Sequence, residues 1–267
     1  MLKYPHIDPV AFSVFGLHIH WYGLAYVAAF FSALYYLKWQ AARYDHVPSK
    51  SQIDDLFIWG IVGVILGGRL GYTLFYNPAY YLSHPLEISY VWQGGMSYHG
   101  GLIGVVLALL LFARKHKLSP FTIADKLAPG TCIGLFFGRL ANFINGELYG
   151  RVTEVPWAMV FPHTGGQPRH PSQLYEALLE GLVLFVILHL LMQKRWRQGE
   201  ASGVFLMGYG LARFMVEYVR QPDPMAHLHE GMFTLITMGQ LLSLPMILAG
   251  MGMLWWSRRN DSIKPTK

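Results

Sequence analysis

The stretch 121-FTIADKLAPGTCIGLFFGRLANFINGELYG-150 decides the fold. Its first part, 121–141, is long enough at about 1.5 Å per residue to cross most of a hydrocarbon layer about 30 Å thick. It nevertheless contains Asp125, Lys126 and Pro129 and closes on Arg139. Charged side chains in such a run are costly against acyl chains, so the helix must turn them toward protein or a wet cavity. The apolar run then breaks into 142-NFINGELYG-150, where asparagines and glycines bring amide and backbone donors to the boundary. Donors of this kind beside an arginine fork suit a phosphate whose other end is lipid.

The rest of the chain repeats the apolar theme. Hydrophobic residues make up 53% of the 267 positions and charged residues only 13%, against roughly 25% charged in an ordinary soluble domain, so the surrounding solvent is lipid. Further spanning segments are expected at 20–39, 55–76, 95–113, 172–192, 203–220 and 231–256, making seven with 121–141. No linker, low-complexity tract or internal repeat divides them. The expectation is therefore an all-α polytopic membrane protein, a single membrane-embedded domain over 1–267, with a small head at about 142–171. The first residues, MLKYPHIDPVAF, lack the basic, apolar and small-residue succession of a cleaved secretory signal. Cys132 is the only cysteine, which excludes an internal disulfide, and in the run TCIGLFFG it reads as a small buried hydrophobe.

A net charge of +6 suggests nucleic acid only if it is spread over one soluble face. It is not. With the amino terminus outside, the inner segments carry Lys38, Arg43, Lys50, Arg114, Lys115, Lys117, Lys194, Arg195, Arg197, Arg258, Arg259, Lys264 and Lys267. The outer ones carry Lys3, Arg151 and Arg169. This asymmetry predicts an outside amino terminus and an inside carboxyl terminus, and no nucleic-acid partner. Clusters such as 114-RKHK-117 also suit acidic lipid headgroups. Trp21, Tyr22, Trp92, Trp255 and Trp256 lie near segment ends, as interfacial anchors do.

Arg69, Lys126, Arg139, Arg213 and Arg220 remain inside or at the ends of apolar segments, with Asp125, Glu176, Glu180 and Glu217 as acidic counterparts. Arg213 and Glu217 are four apart and share a helix face, as do Glu176 and Glu180. One reading is that these charges only tie helices together; the other is that Arg139 and its neighbours hold an anionic ligand. A second centre is 98-YHGGLIG-104, where His99 is either an interfacial histidine or a group able to take a proton near neutral pH. The paired His18/His20 and His227/His229 make no metal pattern, and HExxH, paired CxxC, a Walker sequence and GxGxxG after a strand are all missing. No metal or other cofactor is expected. The many glycines sit in apolar helical runs, where close helix packing is their usual role.

Six stretches in order, 20-HWYGLAY-26, 67-GGRLGY-72, 96-MSYHGGLIG-104, 138-GRLANFINGELYG-150, 170-HPSQLYEA-177 and 208-GYGLARFMVEYVRQPD-223, resemble the bacterial prolipoprotein diacylglyceryl transferase family over nearly the whole chain. The resemblance implies a seven-helix inner-membrane enzyme with a periplasmic amino terminus and head. It implies transfer of the diacylglyceryl group of phosphatidylglycerol to the lipobox cysteine of a preprolipoprotein, with release of glycerol 1-phosphate. It ties His99, Arg139, Asn142, Gly150 and Tyr22 most closely to activity, with Glu147, Arg213, Glu217 and Arg220 in support. The expected roles are His99 as base, Arg139 and Arg213 on the phosphate, and Asn142 and Tyr22 on headgroup or glycerol oxygens. Glu147 and Glu217 are expected to fix arginine rotamers. A membrane transporter and a non-catalytic lipid- or lipoprotein-binding factor are the competing readings.

Overall fold

The computed structural model describes residues 2–44, 48–162, 164–193, 196–221 and 237–259. Lys194, Arg195, Lys264 and Lys267, the 227/229 histidine pair, the end of the 208–223 stretch and the start of the 231–256 segment lie outside the described residues. The chain divides into two compact units, Met1–Tyr36 with Ala124–Lys267, and Leu37–Ile123.

The described residues are mostly helical. A hairpin, β1 (Val10–Val14) and β2 (Leu17–His20), leads into α1 (Trp21–Arg43), followed by α2 (Lys50–Phe75), the short α3 (Pro78–Ser83), α4 (Tyr98–Lys115) and α5 (Pro120–Ile144). A two-stranded ribbon, β3 (Met159–Val160) with β4 (Pro168–Arg169), belongs to the head. Then α6 (Ser172–Glu176), a π-helical segment (Ala177–Val183) and α7 (Leu184–Met192) form one continuous rod, and α8 (Glu200–Val216) and α9 (Met238–Arg259) complete the order. Among the described residues, five helices are long and apolar enough to cross a membrane: Lys50–Phe75, Tyr98–Lys115, Pro120–Ile144, Ser172–Met192 and Met238–Arg259. The other two expected segments fall short for identifiable reasons. Helix α8 has only 17 residues, and the 23 residues of α1 include seven Tyr, Trp or Lys side chains that dilute its apolar character.

In the unit Leu37–Ile123, α2 starts with a reciprocal cap: Ser49 Oγ accepts from Gln52 N at 3.3 Å, and Gln52 Oε1 accepts from Ser49 N at 2.8 Å. Helix α2 packs along α4 through small residues. A Cβ added at Gly67 would stand 2.7 Å from Gly104 Cα, and one at Gly71 would stand 2.7 Å from Gly100 Cα. Only glycine permits that backbone approach, the usual means of tight association where lipid removes the hydrophobic drive.

In the other unit, Gly203, Gly210 and Gly250 do the same for α8 against α9: a Cβ at Gly250 would lie 2.6 Å from Met207 N. The buried core of this unit gathers Ala128, Cys132, Leu184, Leu188 and Ala201. The charges that made α5 an unusual span have partners here. Asp125, fully buried, accepts from Gly199 N at 2.6 Å and from Ser202 N and Oγ at 2.7 Å, so a side chain of α5 caps the amino terminus of α8. Lys126 lies 5.2 Å from the centre of the Trp196 ring.

Candidate active site

Three arginines and three glutamates meet in the unit that holds α5 to α9. Glu176 and Glu180 are fully buried and Glu217 is 2% exposed. Glu176 is the hub: Oε2 stands 3.0 Å from Arg139 Nε, while Oε1 bonds Arg213 Nη1 and lies 3.8 Å from Arg220 Nε. Glu180 Oε2 adds a contact to Arg139 Nη2 at 3.6 Å, and Glu217 Oε2 contacts Arg213 Nη2 at 3.4 Å and Arg220 Nη1 at 3.9 Å. Arg139 comes from α5, Glu176 from the end of α6, Glu180 from the π-helical turn, and Arg213 from α8, with Glu217 and Arg220 just beyond it. A buried carboxylate without a cation is prohibitive in an apolar interior, so each glutamate requires its arginine. The arginines are less enclosed: the Arg139 and Arg213 side chains keep 17% and 16% exposure. Arg139 Nη1 has no partner among the described residues. The result is two neighbouring guanidinium forks, held by one bridging carboxylate, with donors left for an anion.

Local sequence explains how the glutamates get there. The π-helical segment widens the rod where Gly181 faces α5; a Cβ on Gly181 would sit 2.7 Å from Phe136 Cβ. Insertions of this kind concentrate at functional sites because they shift side-chain register within an otherwise regular helix. Gly239, at the start of α9, leaves room for the Glu217 carboxylate, which an added Cβ would approach to 2.6 Å. Thr237 and Gln240 cap that helix start reciprocally, at 3.1 and 3.3 Å.

The turn after α5 is built by hydrogen bonds. Asn142, 8% exposed, donates from Nδ2 to Glu147 Oε1 at 2.9 Å, and Asn145 Nδ2 donates to the same oxygen at 3.3 Å. Gly146 and Leu148 both adopt positive φ, at 66° and 56°. From α6, Gln173 Nε2 donates to Glu147 O at 2.5 Å and Ser172 Oγ to Leu148 O at 3.1 Å. Tyr4 OH donates to Phe143 O and Ile144 O at 2.7 and 2.8 Å, closing the carboxyl end of α5. Glu147 therefore differs from the expectation for it: asparagine amides hold its carboxylate, whereas Glu217 does contact arginines. Gly150 donates its N–H to His170 O at 2.8 Å, and a Cβ there would meet His170 Cβ at 2.7 Å, so close packing requires glycine at this position. Burial depresses the His170 imidazole below its ordinary pKa. Tyr22, on α1, is hydrogen-bonded to Tyr26 OH at 3.2 Å.

His99 belongs to the unit Leu37–Ile123. It sits in the first turn of α4, exposed, with its ring edge-on to Tyr98 at 5.6 Å. Ser97 caps this helix by accepting from Gly100 N at 3.2 Å, and its own N–H donates to Gly68 O on α2 at 2.9 Å. Arg69, the next residue of α2, is 3% exposed and makes no ion pair with a carboxylate among the described residues. Its guanidinium donates to Glu87 O and Gly94 O at 2.6 Å, Ile88 O at 2.8 Å and Gly95 O at 3.3 Å, and faces the Tyr81 ring at 5.2 Å.

A model of the prolipoprotein diacylglyceryl transferase family matches residues 9–256. The chain belongs to that family. A protein of Bordetella parapertussis named phosphatidylglycerol–prolipoprotein diacylglyceryl transferase is 53% identical over 265 residues, 98% of this chain and 100% of its own length. Relatives of the same name in Idiomarina loihiensis, at 54% over 93% of this chain and 92% of their own, and Paramagnetospirillum magneticum, at 52% over 98% and 97%, are similar across the same span. With five helices of membrane-crossing length and apolarity, this family member is a mostly helical, multi-pass membrane protein.

Of the sequence-derived residues, Arg139, Arg213, Glu217 and Arg220 come together in one cluster, and Asn142, Glu147 and Gly150 line the adjoining turn. Sequence reasoning left Glu176, Glu180, Gln173 and Tyr4 out of the site. For the two glutamates a signal was available: an acidic pair at i and i+4 inside an apolar rod has to answer cations from another helix. Tyr4 carried no such signal, because its role is to satisfy carbonyls 139 and 140 residues away.

Proposed function

We propose that this chain transfers the sn-1,2-diacylglyceryl group of phosphatidylglycerol to the lipobox cysteine of a preprolipoprotein, the first step of lipoprotein maturation. The cysteine thiolate attacks the glycerol carbon bonded to the phosphate oxygen. A C–S thioether forms, the C–O bond breaks, and glycerol 1-phosphate departs with the bonding pair. The observation that carries this reading is the pair of partly exposed forks, Arg139 and Arg213, bridged by the buried Glu176. Preorganised donors aimed at oxygens that gain charge are the main source of rate in such a reaction. The names of the relatives supply the substrate classes.

In this scheme Arg139 and Arg213 bind the phosphate, and Asn142 and Tyr22 orient headgroup or glycerol oxygens. Glu147, Glu217 and Arg220 keep the binding groups in place, and Gly150 keeps the head closely packed. His99 takes the thiol proton, since a thiol with an ordinary pKa near 8.5 is only a few per cent ionised at neutral pH. The chain is a single membrane-embedded domain of seven spans in the bacterial inner membrane, α1 and α8 included. The amino terminus and head are periplasmic and the carboxyl terminus cytoplasmic, as the basic-residue asymmetry favours.

The test is transfer from phosphatidylglycerol to a lipobox peptide by purified protein, with mass spectrometry of the peptide and detection of glycerol phosphate. A diacylglyceryl thioether is expected. An acylated cysteine, or no product from folded protein, would overturn the reading.

A further inference from the structure

We infer that the β1–β2 hairpin is a membrane-inserting wedge whose apolar face and tip lie in the headgroup–acyl boundary of the bilayer beside α1. The hairpin is two-sided. Phe12 pairs with Ile19 and Val14 with Leu17, which places these four on one face, while Ser13 and His18 pair on the other, joined by a 2.8 Å hydrogen bond between Ser13 Oγ and His18 Nδ1. An apolar sheet face ordinarily covers a core. This one is largely uncovered among the described residues: Phe12 is 49% exposed, Val14 45% and Leu17 69%, with Ile19 half-buried.

The tip adds a second, independent observation. The two-residue connection is Phe15–Gly16, with φ of 49° and 81°. Such a turn requires positive φ at both positions and favours Asn-Gly or Asp-Gly, because a bulky residue in the left-handed region is strained. Here the strained position carries a phenylalanine with its whole side chain outside the protein, at 103% relative exposure. In water, neither the strain nor the exposure is compensated. In lipid, burial of the ring compensates both.

Continuity with α1 names the occupant. Trp21 N donates to Pro9 O at 3.0 Å, so the base of the hairpin is tied to the first residue of the helix. From Val10 to Leu37 the chain has no Asp, Glu, Lys or Arg. The apolar surface continues along α1 through Tyr26, Val27, Phe31 and Tyr35, exposed by 57, 53, 61 and 75%. A protein partner adding a strand would use the hairpin edges and leave the tip in water; a bilayer accounts for both face and tip. The aromatic and histidine content of the segment is that of an interfacial anchor.

This inference rests on α1 being a membrane span, and the experiment separates the two. A fluorescent NBD probe is attached at Phe15→Cys, Ser13→Cys or Phe31→Cys in the full chain, reconstituted in phosphatidylglycerol/phosphatidylcholine nanodiscs with doxyl groups at acyl carbon 5 or 12. The native Cys132 is fully buried and stays unlabelled. The expected result is blue-shifted emission at position 15, quenched at least twofold more by the shallow label than by the deep one, with little quenching at position 13. A water-like, unquenched probe at 15 beside a quenched probe at 31 overturns the wedge and leaves the span; no quenching at 31 removes the span and the wedge with it. A Phe15→Asn, Leu17→Ser variant probed at Phe12→Cys guards against misfolding. It relieves the turn, so thermal unfolding in detergent is expected to stay unchanged while quenching at position 12 falls at least twofold. Unfolding of that variant, or quenching that persists, counts against the wedge.

Discussion

The tripeptide Gly-Arg-Leu occurs twice in apolar helices, as 68-GRL-70 in α2 and 138-GRL-140 in α5. The two arginines have opposite fates. Arg69 is 3% exposed and spends Nε, Nη1 and Nη2 on four backbone carbonyls, so its charge serves to hold the 87–95 connection against the helix. The Arg139 side chain is 17% exposed, leans on Glu176 and Glu180, and has no partner for Nη1 among the described residues. A caged guanidinium is a structural fastener, whereas one propped from behind by carboxylates and open in front is suited to an anion. The lesson is that intramembrane charge marks a site only when its donors are not already spent.

Variants of either arginine and its partners test the difference. The largest effect is expected from Glu176→Ala, which strips a buried carboxylate from three arginines; loss of one partner in a buried ion pair costs about 3–5 kcal/mol. Denaturant unfolding in detergent checks it, and unchanged stability would mean the cluster is not coupled. Arg139→Ala is expected to lower the transfer rate on the order of a hundredfold, about 3 kcal/mol, with the fold retained. Arg139→Lys should restore little, because an ammonium cannot keep the fork geometry. On the other side, Arg69→Lys leaves carbonyls short of donors at roughly 1–3 kcal/mol, read as a lower unfolding midpoint with an unchanged KM for phosphatidylglycerol. A hundredfold activity loss in a fully stable Arg69→Lys protein would falsify the distinction.

The smallest effect is a pH dependence in the head. Partial burial lowers the His170 pKa, so the folded state binds a proton less readily there than the unfolded chain. Its contribution is fully present above the ordinary histidine pKa near 6.5. It is lost as pH falls from that value through the lowered folded one. Unfolding midpoints between about pH 5 and 7.5 should therefore fall toward acid, and His170→Gln should flatten part of that slope; an equal slope in both proteins removes the assignment.

The residues that were legible in the sequence share a property: their signal is local. Apolar runs located the long helices within a few residues, as with 121–141 against Pro120–Ile144 and 55–76 against Lys50–Phe75. The Arg213–Glu217 pair followed from helical spacing and stands at 3.4 Å. Asp125 was expected to face protein or a wet cavity, and it caps α8, a contact 74 to 77 residues away whose partner no spacing rule anticipates. The hairpin at 10–20 was missed altogether, since its alternation covers only a few residues and Phe-Gly is not a recognised turn pair.

That this protein lives in lipid, where its charges interrupt the apolar runs, and which family it resembles can be read without coordinates, because hydrophobicity, charge and motif order are properties of the chain in one dimension. Which arginine is caged and which is partly exposed, that Glu176 rather than Glu147 holds the forks, and that Tyr4 and Gln173 shape the turn beside them emerge from packing in three dimensions. The physical reason is that a buried charge is settled by whatever faces it, and the partners here arrive from other helices: Arg213 meets Glu176 across 37 positions, and Gln173 reaches Glu147 across 26.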